Sequence, residues 1–150
     1  MELSLLAKSF KQHNFKNEDD VKINFHSEII SPILKQVNPL LANTFHSEDT
    51  LQSGGGGRTD ATFQNVSFEY KKYNYFKSEN GINEALYGRD ESDHGLYDYI
   101  ISSAPFSTND PEEKKVEAIL KGVGVGFDGC KFIFARFIPS SQKNDDVTYF

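Results

Sequence analysis

Four residues of this chain could do chemistry together: Glu28, Asp60, Glu69 and Lys71. Glu69 and Lys71 are two apart, and on an extended strand residues two apart point the same way. Asp60 opens the strand before, so a hairpin would carry its carboxylate toward Glu69 across the ladder. Two carboxylates side by side repel each other unless a hard cation sits between them. Oxygen donors, few protein ligands and room for several waters suit Mg²⁺ (or Mn²⁺). A lysine beside that ion can orient or deprotonate a water, or stabilise charge on a phosphate. Glu28, on a preceding helix, could bring a third carboxylate to the same place. The plain alternative is a glutamate and a lysine on the solvent face of a half-exposed strand.

The elements that must position these residues are legible in part. Residues 17–38 read as a helix capped by Asn17, Asp19 or Asp20, with Val21, Phe25, Ile29 and Leu34 at helical spacing and a bend or break at Pro32. Leu3 to Phe15 reads as a shorter helix before it. Residues 46–59 read as a loop that contains four consecutive glycines, Gly54 to Gly57. Two strands follow, Asp60–Phe63 and Val66–Lys71, joined by a Gln64-Asn65 turn. Val66, Phe68 and Tyr70 share one face of the second strand, and Ser67, Glu69 and Lys71 the other. Part of 73–93 reads as helical (Ile82 to Tyr87), ending at Gly88-Arg89-Asp90. Further helices are expected at 94–103 and 111–121, the latter opened by Pro111. Asp128-Gly129 between two apolar runs predicts a hairpin.

Competing motifs fail on context. Gly124-x-Gly126-x-x-Gly129 matches a dinucleotide fingerprint in letters, but a strand follows where that motif needs a helix N-terminus. Gly57-Arg58-Thr59 lacks the lysine of a phosphate loop. His13, His26, His46 and His94 show no ligand spacing. Cys130, the single cysteine, reads as core and fits a reducing cytosol. Lys71-Lys72-Tyr73-x-Tyr75-Phe76-Lys77 is either a nucleic-acid strip or a strand end packing its aromatics inward.

The order of these residues on their elements resembles the PD-(D/E)xK nuclease superfamily: helix Glu28, then Gly57-Arg58-Thr59-Asp60 at a strand start, then Phe68-Glu69-Tyr70-Lys71, then helix and strand. It is similar in particular to the N-terminal nuclease domains of restriction–modification enzymes with a DNA methylase downstream. The resemblance covers roughly residues 18 to 138. It implies that Asp60, Glu69 and the Tyr70 carbonyl ligate Mg²⁺ or Mn²⁺, that Lys71 positions or activates the attacking water, and that Glu28 supports the metal or its water. It also implies hydrolysis of phosphodiester bonds in double-stranded DNA, with sequence readout by other domains. The expected fold is restriction-endonuclease-like α/β, a central mixed sheet of four or five strands with helices on both sides.

With 150 residues the chain suits one domain able to bury about two-thirds of its surface. Its 16 basic against 22 acidic residues give a net charge of −6, which excludes a histone-like binder that works by bulk charge. No basic-then-apolar leader and no membrane-length apolar run is present, so a cytoplasmic protein without membrane contact is expected. Met1 and the apolar ending Asp146–Phe150 suggest an N-terminal piece of a longer polypeptide, while a whole protein with a docked last strand stays open. Two other functions also stay open: a catalytically inactive nuclease-fold interaction module, and a small-molecule hydrolase using the same carboxylates.

Overall fold

A computed structural model describes residues 10, 13–40, 45–47 and 60–139. The expected helix Leu3–Phe15, most of the glycine loop and the chain end at 146–150 lie outside the described residues, apart from Phe10 and residues 13–15.

Helix α1 spans Glu18–Phe25. The Asn17 side chain caps it by accepting the Asp20 N–H at 2.8 Å, and three acids fill the first turn, where the helix dipole favours them. The chain stays helical to Val37 but widens into a π-turn at His26–Ile30 before α2, Ser31–Val37. The Ser31 N–H reaches back to the His26 carbonyl, and Pro32 follows at once. Proline has no N–H and its ring crowds the carbonyl four residues back, so a wider turn there relieves the clash.

Among the described residues, five strands form one sheet in the order β1 (Phe45–Ser47), β2 (Ala61–Phe63), β3 (Val66–Tyr70), β4 (Val123–Phe127), β5 (Phe132–Ala135). All neighbours are antiparallel except β3 and β4, which are parallel. A parallel pair needs a long crossover. Here it consists of a 3-10 turn at Tyr75–Lys77 and helices α3 (Glu79–Tyr87), α4 (Leu96–Ser103) and α5 (Glu112–Leu120). The fold is thus α/β with a mixed sheet, as expected. The expected helices at 94–103 and 111–121 correspond to α4 and α5. Two boundaries are corrected. His46 and Ser47, expected to open the loop, instead end the edge strand Phe45–Ser47, and β5 occupies only four residues of the run from Cys130 to Ile138. No helix among the described residues is long and apolar enough to cross a membrane.

Both faces of the sheet are covered. On one, Val21 and Phe25 of α1 pack with Ala61, Phe68, Tyr70, Val125 and Phe127. The Phe25 and Phe127 rings lie 4.4 Å apart. On the other, Leu96, Tyr99 and Ile100 of α4 pack with Leu86, Phe76, Ile133 and Ala135. Each large apolar side chain buried here contributes about 1.5–3 kcal/mol. The second face depends on glycine. A Cβ on Gly124 would stand 3.1 Å from Leu96, and one on Gly126 would stand 2.5 Å from Ile133. Val123, Val125 and Phe127 fill one face of β4 while its glycines let α4 lie close against the other.

The β4–β5 turn is held by Asp128, which is wholly buried. Its carboxylate accepts the N–H groups of Phe76 (2.8 Å), Cys130 (2.9 Å) and Lys131 (2.7 Å). Gly129 supplies the positive φ of +81° that the turn needs. Cys130, expected in the core, is exposed instead. It sits in this turn, before the strand that the apolar run suggested.

Candidate functional site

The β2–β3 hairpin brings Asp60 and Glu69 together. Its register pairs Ala61 with Phe68, Thr62 with Ser67 and Phe63 with Val66. One further step along the same register sets Asp60 opposite Glu69, where directly opposed side chains share a face. Asp60 is fixed there because its Oδ2 accepts the Tyr70 N–H at 2.6 Å.

Glu69 does not lie on a solvent face. It is only 5% exposed, on the face that α4 covers. Its neighbour on that face, Ser67, has its hydroxyl 2.8 Å from that of Ser103 at the end of α4. A lone carboxylate in such a place is expensive to ionise. Lys71 lies where β3 ends, and its Nζ is 2.5 Å from Glu69 Oε1. Asp60 Oδ1 and Glu69 Oε2 carry no hydrogen bond among the described residues.

Burial pushes the Glu69 carboxyl up to about 8; Lys71 draws it back down, and the charges of Asp60 and Glu18 push it up again. Asp60 is raised by burial too, against the pull of the Tyr70 N–H and the cations of Lys22 and Lys71. Burial lowers Lys71, but the attraction of Glu69 and its hydrogen bond outweigh that and keep the ammonium above its ordinary range. Burial, more than the charges around them, is what raises the two carboxyls.

The carboxylate that α1 contributes is Glu18. Glu18 is half-buried in the first turn, raised by burial, and close enough to Lys71, Asp60 and Glu69 to act on them. Glu28 is not brought to this place. Its Oε1 pairs with His13 Nε2 at 2.7 Å. Ten residues of helix at 1.5 Å each separate it from Glu18 by roughly 15 Å along the axis. Glu18, Val21, Phe25 and Glu28 fall at i, i+3, i+7 and i+10, one helical stripe, so face alone does not choose between the two acids. The choice rests on which end of the helix lies over the tip of β3.

Oxygen donors from Asp60 and Glu69 suit a hard divalent ion, and two side chains plus a carbonyl would leave it the waters that Mg²⁺ retains. Among the described residues no three His, Cys, Asp or Glu side chains form a cage. Of the histidines, His94 Nδ1 lies 3.7 Å from Asp98 Oδ2, and burial lowers His26, with the Lys35 charge adding to it.

Lys71 also forms one corner of a cleft of about 240 Å³, with Lys72, Tyr75, Glu84, Arg89 and Asp93 around it. Lys72 and Tyr75 belong to the basic, aromatic stretch noted in the sequence. There Tyr73 is exposed while Phe76 is buried, so the stretch combines an outward and an inward role. Arg89 and Asp93 carried no signal of their own, since they fall in a charged loop. A larger groove of about 410 Å³ lies by Asn65, at the opposite end of β3.

No family model matches this chain, and neither a curated protein nor a solved structure matches it.

Proposed function

We propose that this chain is a Mg²⁺-dependent DNA endonuclease domain of the PD-(D/E)xK type, with a restriction-endonuclease-like fold, from a restriction–modification enzyme. One observation carries the reading: Glu69 is buried beside Lys71 and opposite Asp60, so two carboxylates meet one lysine at the C-terminal end of a central strand. In open α/β sheets that end is where ligand sites gather. A buried ionisable pair at such a place is more costly than a structural role requires.

Asp60, Glu69 and the Tyr70 carbonyl would hold the ion. When bound, it supplies charge stabilisation on the scissile phosphate and acidifies a bound water. Lys71 keeps its proton and directs it at the attacking water or the phosphate oxygen. Glu18 takes the supporting part that the sequence suggested for Glu28. Double-stranded DNA is the substrate, and other domains would add most of the affinity and the sequence readout. The chain would act in the cytoplasm.

The test is nicking of supercoiled DNA in Mg²⁺ by the wild-type chain and by Asp60→Ala. Activity is expected from the wild type and a loss of at least a hundredfold in the variant, since electrostatic groups at a reacting centre are worth about 10²–10³ in rate. Equal activity in both overturns the assignment. A second reading, an inactive interaction module on the same fold, draws on the absence of a three-side-chain metal cage among the described residues. It predicts no Mg²⁺ or Mn²⁺ heat in calorimetry. A titration abolished by Glu69→Ala excludes it.

A further inference from the structure

The cleft beside Lys71 has its acids occupied and its donors open. The Glu84 carboxylate accepts from the Tyr75 hydroxyl and, at 2.7 Å, from Asn80 Nδ2. Asp93 Oδ2 takes the Arg89 backbone N–H at 3.1 Å and its Nε at 3.0 Å. Glu18, the remaining acid, faces Lys71. Lys72 differs: its Nζ lies 5.6 Å over the Tyr75 ring and makes no ion pair among the described residues. Arg89 is held through Nε, and its terminal nitrogens carry no hydrogen bond among the described residues. A guanidinium pinned in this way still offers paired N–H donors at the spacing of two phosphate oxygens. An ammonium over an aromatic ring keeps its donors for an anion as well.

We propose that this cleft is a backbone subsite for nucleic acid, in which Arg89 and Lys72 grip the phosphodiester next to the one that Lys71 faces and Tyr75 supports the adjoining nucleotide. The nature of the phosphate rests on the nuclease reading; the presence of an anion site does not. The subsite lies outside the four residues singled out from the sequence and needs no metal.

Binding of thymidylyl-thymidine, a phosphodiester dinucleotide, to the full chain in EDTA tests it by NMR or calorimetry without any cleavage. Wild type should bind, and Arg89→Ala and Lys72→Ala should each weaken binding about tenfold or more, as loss of a charge-assisted hydrogen bond does. Lys77→Ala, an exposed neighbour outside the cleft, should change it less than about twofold, within the range of screened surface charges. Inorganic phosphate should bind more weakly than the dinucleotide. Absence of wild-type binding, unchanged affinity in the Arg89 and Lys72 variants, an equal loss in Lys77→Ala, or phosphate binding as well as the dinucleotide would each overturn the proposal. A chain that binds the dinucleotide but does not nick DNA keeps the subsite and loses the nuclease reading.

Discussion

Glu69 keeps a proton at neutral pH that most glutamates have lost, because its burial outweighs the help of Lys71. The folded chain thus binds a proton between pH 4.5 and about 8 that the unfolded chain has released. Stability rises with pH only where the unfolded state holds more protons, so here it must fall across that window and level off above it. Glu69→Gln removes this slope. In EDTA the variant should gain on the wild type from pH 5 to pH 8, by on the order of a few kcal/mol, read as the difference in urea midpoints. Identical midpoint differences at both pH values would mean that Glu69 is ionised throughout. Divalent ions should act in the opposite sense and stabilise the wild type more as pH rises, because a ligating carboxylate must be deprotonated.

At the scale of elements, the β2–β3 hairpin was readable because the pattern has period two and the Gln64-Asn65 turn is short. Asp60 and Glu69 then meet by register alone. The helix acid was not readable. Glu18 and Glu28 lie on one stripe of one helix, and only the direction in which α1 crosses the sheet decides which reaches the tip of β3. That direction is set by packing of Val21 and Phe25 on β3 and β4, contacts far apart in sequence. Phe45–Ser47 is too short to show a period, and an apolar run does not reveal that the turn before β5 exposes Cys130. The glycines of β4 were readable as not belonging to a dinucleotide site, but their use was not. They let α4 approach, so Gly124→Val should push against Leu96 and Ile100 and cost about 1–3 kcal/mol. Denaturant melts of this variant beside Val123→Ile, on the opposite face of the strand, check it. A Gly124→Val loss no larger than that of Val123→Ile would mean that α4 yields without strain.

For the whole molecule, a charge of −6 and a cleft with two open cations mean that the proposed subsite can supply only weak affinity by itself. The number of phosphates neutralised sets the salt dependence, at about −0.9 per phosphate for duplex DNA. The phosphate gripped by Lys72 and Arg89 and the neighbouring one that Lys71 faces then predict a slope near −2 in a plot of log affinity against log salt, measured in EDTA by anisotropy. A slope near −6 would place many further cations on the DNA.

Asp128 gives the cleft its timescale. The turn at Tyr75–Lys77 is short and its flanks are exposed, the kind of segment whose amides normally exchange with solvent as it frays. Yet the Phe76 N–H ends on a buried carboxylate 52 residues away, Lys131 Nζ reaches the Phe76 carbonyl, and the Asn74 N–H binds the Asp128 carbonyl. Opening that turn means undoing the β4–β5 connection. The Phe76 amide should therefore exchange at the rate of the central sheet rather than of its own turn, and Tyr75 beside it stays in place for as long as the sheet does.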